Sequence, residues 1–170
     1  MKHTLSVLVR NHYGVLSHVS GLFTRRGYNI DSLSVGETDN PEYSIITMVV
    51  KEEPKMVRQI EQQLYKLIDV IKIDNLTNKE SLQRELLLLT VEVNRANRHE
   101  ILALVEVFKG IIVDMTDTAI MIEMSSNPRR IDTFIKVFSE YNIIKIARTG
   151  TIALEFPSGR SANEKDKDIK

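Results

Sequence analysis

The segment from Arg10 to Leu16 contains the residues best suited, by type and spacing, to bind a small molecule. Gly14 stands where an amphipathic helix begins, and the first amides of a helix have no partner within it. The positive end of the helix dipole points to the same place. A small carboxylate could dock there, with Gly14 allowing close approach and Asn11 supplying an amide. Alternatively, Asn11 caps the helix and Gly14 serves only the turn; the residues alone leave both interpretations open.

A search for catalytic residues finds little else. Metal ligands on one helix need a characteristic spacing, and the four histidines do not show it; they are His3, His12, His18 and His99. The absence of cysteine excludes thiolate metal sites, disulfides and cysteine nucleophiles. No nucleophile elbow, phosphate-binding loop or dinucleotide-binding motif occurs. The sequence therefore predicts a protein with no catalytic, metal or cofactor site of its own.

The composition restricts the class of protein. The 170 residues include 23 basic and 23 acidic side chains, and 42% of the residues are hydrophobic. A balanced and scattered charge argues against nucleic-acid binding. No apolar run approaches the roughly 18 residues needed to span a bilayer, and no signal segment is recognisable. We expect a cytoplasmic globular protein that binds neither nucleic acid nor membranes.

The hydrophobic pattern divides the chain into two similar halves. Period-two runs indicate strands, and apolar residues at helical spacing indicate helices. In the first half these elements are the strand 5–9, the helix 15–26, the strands 29–35 and 44–50, a helix from Pro54 with the buried stripe Val57, Ile60, Leu64, Leu67 and Ile68, and the strand 70–73. In the second half they are the strand 85–93, a helix that stops at Gly110, the strands 111–115 and 119–124, a helix from Asn127, and the strand 143–154.

Both halves therefore have the order βαββαβ, which is typical of the ferredoxin-like fold. The predicted class is α+β, with two such units in tandem. The boundaries are 1–76 for the first domain, 77–83 for a linker, 84–156 for the second domain and 157–170 for a polar tail. A unit of about 75 residues has a small core. We expect its open sheet face, with Ile46, Met48 and Val50 or their alternates, to be covered by a second domain or subunit.

The first half also resembles a known family. The run LSVLVRNHYGVLSHVSGLFTRRGYNIDSLSVGETD is similar to the N-terminal ACT domain of the small regulatory subunit of acetolactate synthase (acetohydroxyacid synthase). The motif N-x-x-G-[AV]-L matches at Asn11 to Leu16, and L-F-x-R-R-G-[YF]-N-I matches at Leu22 to Ile30. The segments 59–73 and 84–93 resemble the family's second helix with its following strand and the start of its C-terminal domain. In the second half, Phe108 to Asp114 keep the family's motif F-[RK]-[GA]-x-[IV]-[IV]-D, but elsewhere that half agrees mainly in its apolar pattern.

The resemblance implies a non-catalytic partner of a large subunit that carries thiamine diphosphate, Mg²⁺ and FAD. The small subunit of that family raises the activity of the large one and confers feedback inhibition by branched-chain amino acids, chiefly valine. The effector lies between the ACT domains of a homodimer. The matching positions are Asn11, Gly14, Val15 and Leu16 from one subunit and Asn29 and Ile30 from its neighbour. The alternative is a free-standing ACT-type amino-acid sensor that controls another protein.

Overall fold

The computed structural model describes residues 1–157, which form two compact units. The first unit comprises Met1–Leu82 together with the described residues from Gly150 onward, and the second comprises Gln83–Thr149. Of the tail predicted over 157–170, all but the first residue lies outside the described residues.

The first unit has one four-stranded antiparallel sheet and two helices, in the predicted order βαββαβ. The strands lie in the order β2-β3-β1-β4, so that the first strand is central. The elements are β1 (Lys2–Arg10), α1 (Val15–Arg26), β2 (Ile30–Glu37), β3 (Tyr43–Lys51), α2 (Pro54–Leu64) and β4 (Val70–Asn75).

Alternation along the two central strands places one set of apolar side chains under the helices. Leu5 pairs with Met48 and Val7 pairs with Ile46, and all four side chains are buried in the core. Successive side chains of a strand point to opposite faces, so this register fixes the core face along both strands. The helices cover that face with a buried stripe: Val15, Val19, Leu22 and Phe23 of α1, and Val57, Ile60 and Leu64 of α2.

Leu16 of α1 and Ile68 of the stripe predicted from Pro54 are not buried. Leu16 is 44% exposed, although its neighbour Val15 is in the core. Ile68 is 85% exposed because α2 ends at Leu64, so the helical spacing no longer applies at position 68. The prediction that Ile68 belongs to the helical stripe is therefore wrong.

The second unit repeats the order βαββαβ, which confirms the predicted fold class. Its sheet has the strand order β6-β7-β5-β8, and its second helix contributes the stacked rings of Phe134 and Phe138 to the core. Because β5 begins at Ser81, the stretch predicted as a linker over 77–83 is partly strand. The elements are β5 (Ser81–Glu92), α3 (Arg98–Phe108), β6 (Ile111–Met115), β7 (Ala119–Ser126), α4 (Pro128–Phe138) and β8 (Ile143–Arg148).

The last predicted strand, 143–154, is two strands in the structure. β8 pairs with β5 as far as Arg148, and a second strand, β9 (Ile152–Glu155), follows the break. At the break, Gly150 passes the backbone of Leu33 so closely that an added Cβ would lie 2.2 Å from the Leu33 carbonyl oxygen. The prediction of one continuous strand is therefore wrong, since the pairing of β8 with β5 ends at Arg148 and a separate strand, β9, pairs with β5 after the break.

The segment Gly150–Glu155 belongs to the first unit. The Thr151 amide donates to Ser32 Oγ at 2.8 Å, and Ser32 is paired with Val49. Val49 lies on the sheet face opposite the helices, where it is only 7% exposed. The C-terminal segment therefore covers part of the face that we expected another domain or subunit to cover.

Candidate functional site

The turn between β1 and α1 leaves the start of the helix without a side-chain cap. Gly14 is the N-cap residue, and its φ of +88° lies in the left-handed region that favours glycine. Among the described residues, no side chain accepts a hydrogen bond from the first amides of α1. The Val15 N–H donates to the His12 carbonyl at a long distance of 3.5 Å, and the amides that follow it, together with the positive helix end, are available to an anion.

Asn11 has a different role from capping. Its side-chain amide donates to Glu37 Oε1 at 3.1 Å and to the Pro41 carbonyl at 2.9 Å. Its backbone N–H donates to the Glu42 carbonyl at 2.7 Å. Asn11 therefore ties the β1–α1 turn to the β2–β3 turn, and the interpretation of Asn11 as a helix cap is wrong.

The other predicted site residues differ in exposure and position. The side chain of Val15 is buried in the core, whereas Leu16 and Asn29 are exposed and Ile30 is partly buried. Asn29 follows the end of α1, and Gly14 precedes its start. A helix of 12 residues is about 18 Å long. One chain thus brings Asn11, Gly14, Val15 and Leu16 together but does not bring Asn29 and Ile30 to them.

A cluster of three titratable side chains lies beside this turn. Asp69, in the connection before β4, has a side chain that is only 6% exposed. Its Oδ1 is 2.7 Å from His12 Nε2, and its Oδ2 is 3.2 Å from His18 Nδ1. The two imidazoles are 50% and 60% exposed, so solvent reaches both. The buried carboxylate therefore joins the turn and the first helix through two histidines.

The surroundings of the cluster favour the charged forms of His12 and Asp69. The hydrogen bond between His12 Nδ1 and the Tyr13 carbonyl, with the bond to Asp69, raises the pKa of His12 above 6.5. Burial alone would raise the pKa of Asp69, but hydrogen bonds from His18 and His12 outweigh it and hold that pKa below 3.8. His12 and Asp69 therefore form a charged pair in mildly acidic solution.

Sequence reasoning did not find this cluster. Asp69 lies 57 residues after His12 and 51 after His18. No periodicity relates positions so far apart. The pairing of β4 with β1 is the feature that brings these residues together, because the Arg10 amide donates to the Asp69 carbonyl where β1 meets the start of β4.

An open cavity of about 370 Å³ lies at the same corner of the fold. Its lining is mostly polar and includes residues of both turns of the first unit: Arg10, Asn11, His12, Glu42 and Tyr43.

Among residues 1–157, no group of three or more His, Cys, Asp or Glu side chains is arranged to hold a metal ion. None of the helices in that part of the chain is both long and apolar enough to cross a membrane.

Comparison with known proteins agrees with the two-unit architecture. A family model described as "AHAS small subunit-like ACT domain" matches residues 5–72, and one described as "Small subunit of acetolactate synthase" matches residues 84–156. The acetolactate synthase small subunit of Mycolicibacterium smegmatis is 40% identical over 152 residues, which are 89% of each chain. That of Haemophilus influenzae is 39% identical over 155 residues, which cover 91% of this chain and 95% of its own.

A solved structure agrees as well. The crystal structure of the acetolactate synthase small subunit from Thermotoga maritima is 35% identical, with a TM-score of 0.85, and the match covers 92% of this chain and 98% of that one. Both units, in the same order, therefore have counterparts in the relatives. With its two consecutive family matches and these relatives, the chain belongs to the acetolactate synthase small-subunit family.

Proposed function

We propose that this chain is the regulatory subunit of an acetolactate synthase. It raises the activity of a large catalytic subunit, and it lowers that activity when valine binds. The family assignment and the names of the relatives support the role of small subunit. Thiamine diphosphate, Mg²⁺ and FAD belong to the large subunit in this proposal, which gives this chain no part in the covalent chemistry.

The uncapped start of α1 is the observation that supports the effector site. The left-handed Gly14 turns the chain so that the first helical amides meet no side chain of the described residues. A valine carboxylate accepts hydrogen bonds from these amides and is favoured by the helix dipole. Val15 contributes its backbone, because its side chain is in the core, and the exposed Leu16 offers an apolar surface to the isopropyl group.

The proposed site needs a second copy of the chain. Asn29 and Ile30 lie at the far end of α1, about 18 Å from Gly14. One valine cannot contact both ends of this helix. In a homodimer, Asn29 and Ile30 of the neighbouring copy complete the site, and the Asn29 amide binds the polar groups of the effector.

The regulation of the large subunit by valine follows from the thermodynamic linkage between valine binding and the arrangement of the assembly. Valine changes the activity of the large subunit only through different affinities for two arrangements of the assembly, and the coupling is reciprocal. A typical coupling free energy of about 1–3 kcal/mol corresponds to roughly 5–150-fold in affinity. Helix-start amides from one copy and an asparagine from the other make valine specific for the arrangement that brings them together.

The test is a reconstituted assay with the large subunit, its cofactors and pyruvate. The wild-type chain should raise acetolactate formation, and valine should reverse this effect. In Gly14→Asp a carboxylate occupies the place of the effector's carboxylate, and in Asn29→Ala an amide is lost. Both variants should still activate but need roughly 10- to 100-fold more valine for inhibition, as the loss of a hydrogen bond to a charged group predicts.

Asn78→Ala, a change of an exposed asparagine outside the site, is the matched control and should behave like wild type. Unchanged valine sensitivity in both site variants would contradict the site assignment. A wild-type chain that binds valine but leaves the large subunit unaffected would indicate a free-standing amino-acid sensor.

A further inference from the structure

The second sheet has an apolar outer face, on the side away from α3 and α4. Leu87, Leu89 and Val91 of β5 are buried in the core beneath these helices. Because successive side chains of a strand point to opposite faces, Leu86 and Leu88 lie on the outer face, where each is 37% exposed. A continuous apolar surface left open on one chain marks a site where another molecule binds.

The strand register extends this outer face over all four strands. Leu88 lies opposite Glu123 of β7 and Ala147 of β8, and Glu123 lies opposite Ile111 of β6. Residues directly opposite each other in an antiparallel pair share a face. One row therefore crosses the outer face from Ile111 at the β6 edge to Ala147 at the β8 edge.

The next row carries opposite charges at its two ends. It runs from Asp114 of β6 through Met121 and Thr90 to Lys145 of β8. Asp114 and Lys145 are both exposed, and within residues 1–157 neither takes part in an ion pair. Asp114 Oδ1 accepts a hydrogen bond from the Met115 N–H at 2.9 Å, which holds the carboxylate at the edge. The outer face thus has an acidic edge at β6 and a basic edge at β8.

A second copy of the same face complements this charge pattern. Two sheets that pack face to face keep their strands nearly aligned, about 10 Å apart. A two-fold axis parallel to the strands then places β6 of one copy over β8 of the other, so that Asp114 meets Lys145 of the second copy at both edges. We propose that the outer face of the second sheet binds the same face of a second copy of this chain.

The centre of this contact is apolar except for Glu123. Under the same axis, β5 of one copy lies over β7 of the other, so Leu88 packs on the stem of Glu123 and Met121 packs on Thr90. The Glu123 carboxylate is one strand inward from Asp114 and points towards the same lysine of the second copy. Four strands about 4.8 Å apart make a small face, well under the roughly 800 Å² per partner of a stable interface. The contact is therefore weak, and the ion pairs fix its orientation.

Cysteine cross-linking tests this orientation, because the chain has no cysteine of its own. Within one chain, Ile111 and Ala147 stand at opposite edges of a row, about 14 Å apart. In the proposed contact, Ile111 of one copy faces Ala147 of the other. The full-length double variant Ile111→Cys/Ala147→Cys should therefore form a covalent dimer with a bis-maleimide of about 8 Å, which suits sheets about 10 Å apart. Each single variant should form none, since like positions lie at opposite edges.

Glu106→Cys/Lys136→Cys is the matched control for this experiment. Both positions are exposed on α3 and α4, which cover the other face of the sheet. This double variant has the same number of thiols and should give no covalent dimer at the same protein concentration.

Charge reversal tests the ion pairs. In the Ile111→Cys/Ala147→Cys background, Lys145→Glu brings acids together at both edges. It should raise the protein concentration for half-maximal cross-linking by about 5- to 30-fold, as the loss of two exposed ion pairs predicts. Adding Asp114→Lys restores opposite charges and should return this concentration to near its starting value. Such a rescue requires the two side chains to face each other.

The outcomes separate this contact from the proposed regulatory function. The proposal is overturned if the double variant gives no covalent dimer, or if Ile111→Cys alone gives one, which would indicate edge-to-edge pairing of β6. It is also overturned if the cysteines react only with added large subunit, which would then be the molecule that covers the face. A wild-type chain that valine does not inhibit would contradict the proposed function and leave the cross-linking result unchanged.

Discussion

At the scale of single residues, Asp69 is the group whose surroundings matter most. Its carboxylate is almost fully buried, a position that is unfavourable for a charge unless hydrogen bonds compensate. His12 and His18 supply those bonds, and the backbone of Asp69 binds Arg10 at the edge of the sheet. The same aspartate therefore joins the β1–α1 turn, the first helix and the edge of the sheet.

The pKa shifts of this cluster predict how stability depends on pH. The pKa of Asp69 is lower in the folded chain, so its contribution is present above about pH 3.8 and is lost as pH falls further. The pKa of His12 is raised, so its contribution is complete below about pH 6.5 and is lost as pH rises through the folded value. The free energy of unfolding of wild type should therefore exceed that of Asp69→Asn most between about pH 4 and 6.5.

Urea unfolding of both proteins at pH 5.0, 7.0 and 8.5 measures this difference. We expect it to shrink steadily from pH 5.0 to pH 8.5. A difference that stays constant over this range would show that the ion pair with His12 contributes nothing to folding.

At the scale of elements, the close contact between Gly150 and β2 is the main feature. Among the described glycines, Gly150 is the one whose added Cβ would lie nearest to other backbone atoms. A Cβ at Gly150 would lie 2.2 Å from the carbonyl oxygen and 2.5 Å from the carbonyl carbon of Leu33. Both atoms are backbone atoms of a paired strand and cannot rotate away. The position of the C-terminal segment on the first sheet therefore depends on the absence of a side chain at residue 150.

Gly150→Ala should lower the free energy of unfolding by about 1–3 kcal/mol, the usual cost of forcing an extra carbon into a packed site. Gly36→Ala is the matched control, because a Cβ at Gly36 has no neighbour within 4 Å and this glycine lies in β2. The control should be as stable as wild type or slightly more stable, since alanine loses less backbone entropy on folding. Equal stability of all three proteins by urea unfolding would contradict the close approach.

At the scale of the whole molecule, the chain alternates between the two units. The first unit contains Met1–Leu82 and the described residues from Gly150 onward, and the second unit contains Gln83–Thr149. Within the first unit, Thr47 and Val49 lie on the sheet face opposite the helices and are buried. The first unit is therefore complete only after the second has been traversed.

A chain that ends at Thr149 tests this arrangement. Loss of the segment should expose Val49 and lower the local stability of the first sheet by about 2 kcal/mol, the value for exposing one aliphatic side chain. Hydrogen exchange should accelerate roughly 10- to 100-fold in β1 and β3 but stay unchanged in β6 and β7, relative to a chain that ends at Pro157. Equal acceleration in both sheets would show that the segment does not belong to the first unit.

The sequence by itself determined the order of the elements and, in β1 and the first helix, the face that each buries. The period-two spacing of Leu5, Val7 and Val9 in β1 and the helical spacing in α1 depend only on neighbours a few residues apart. Gly27 shows the same locality, since it ends α1 in the left-handed conformation that glycine adopts without steric cost. The start of α1 at Gly14 likewise depends only on the adjacent residues.

Only the tertiary structure decided which distant residues meet. Asp69 reaches His12 and His18 because β4 pairs with β1, and that pairing fixes the position of a residue whose type carries no such information. Asn11 binds the β2–β3 turn and Gly150 crosses Leu33 for the same reason. Such contacts depend on strand register and on the path of the chain between the sheets. Residues far apart in the sequence follow no common period, so neither the register nor the path can be calculated from the sequence.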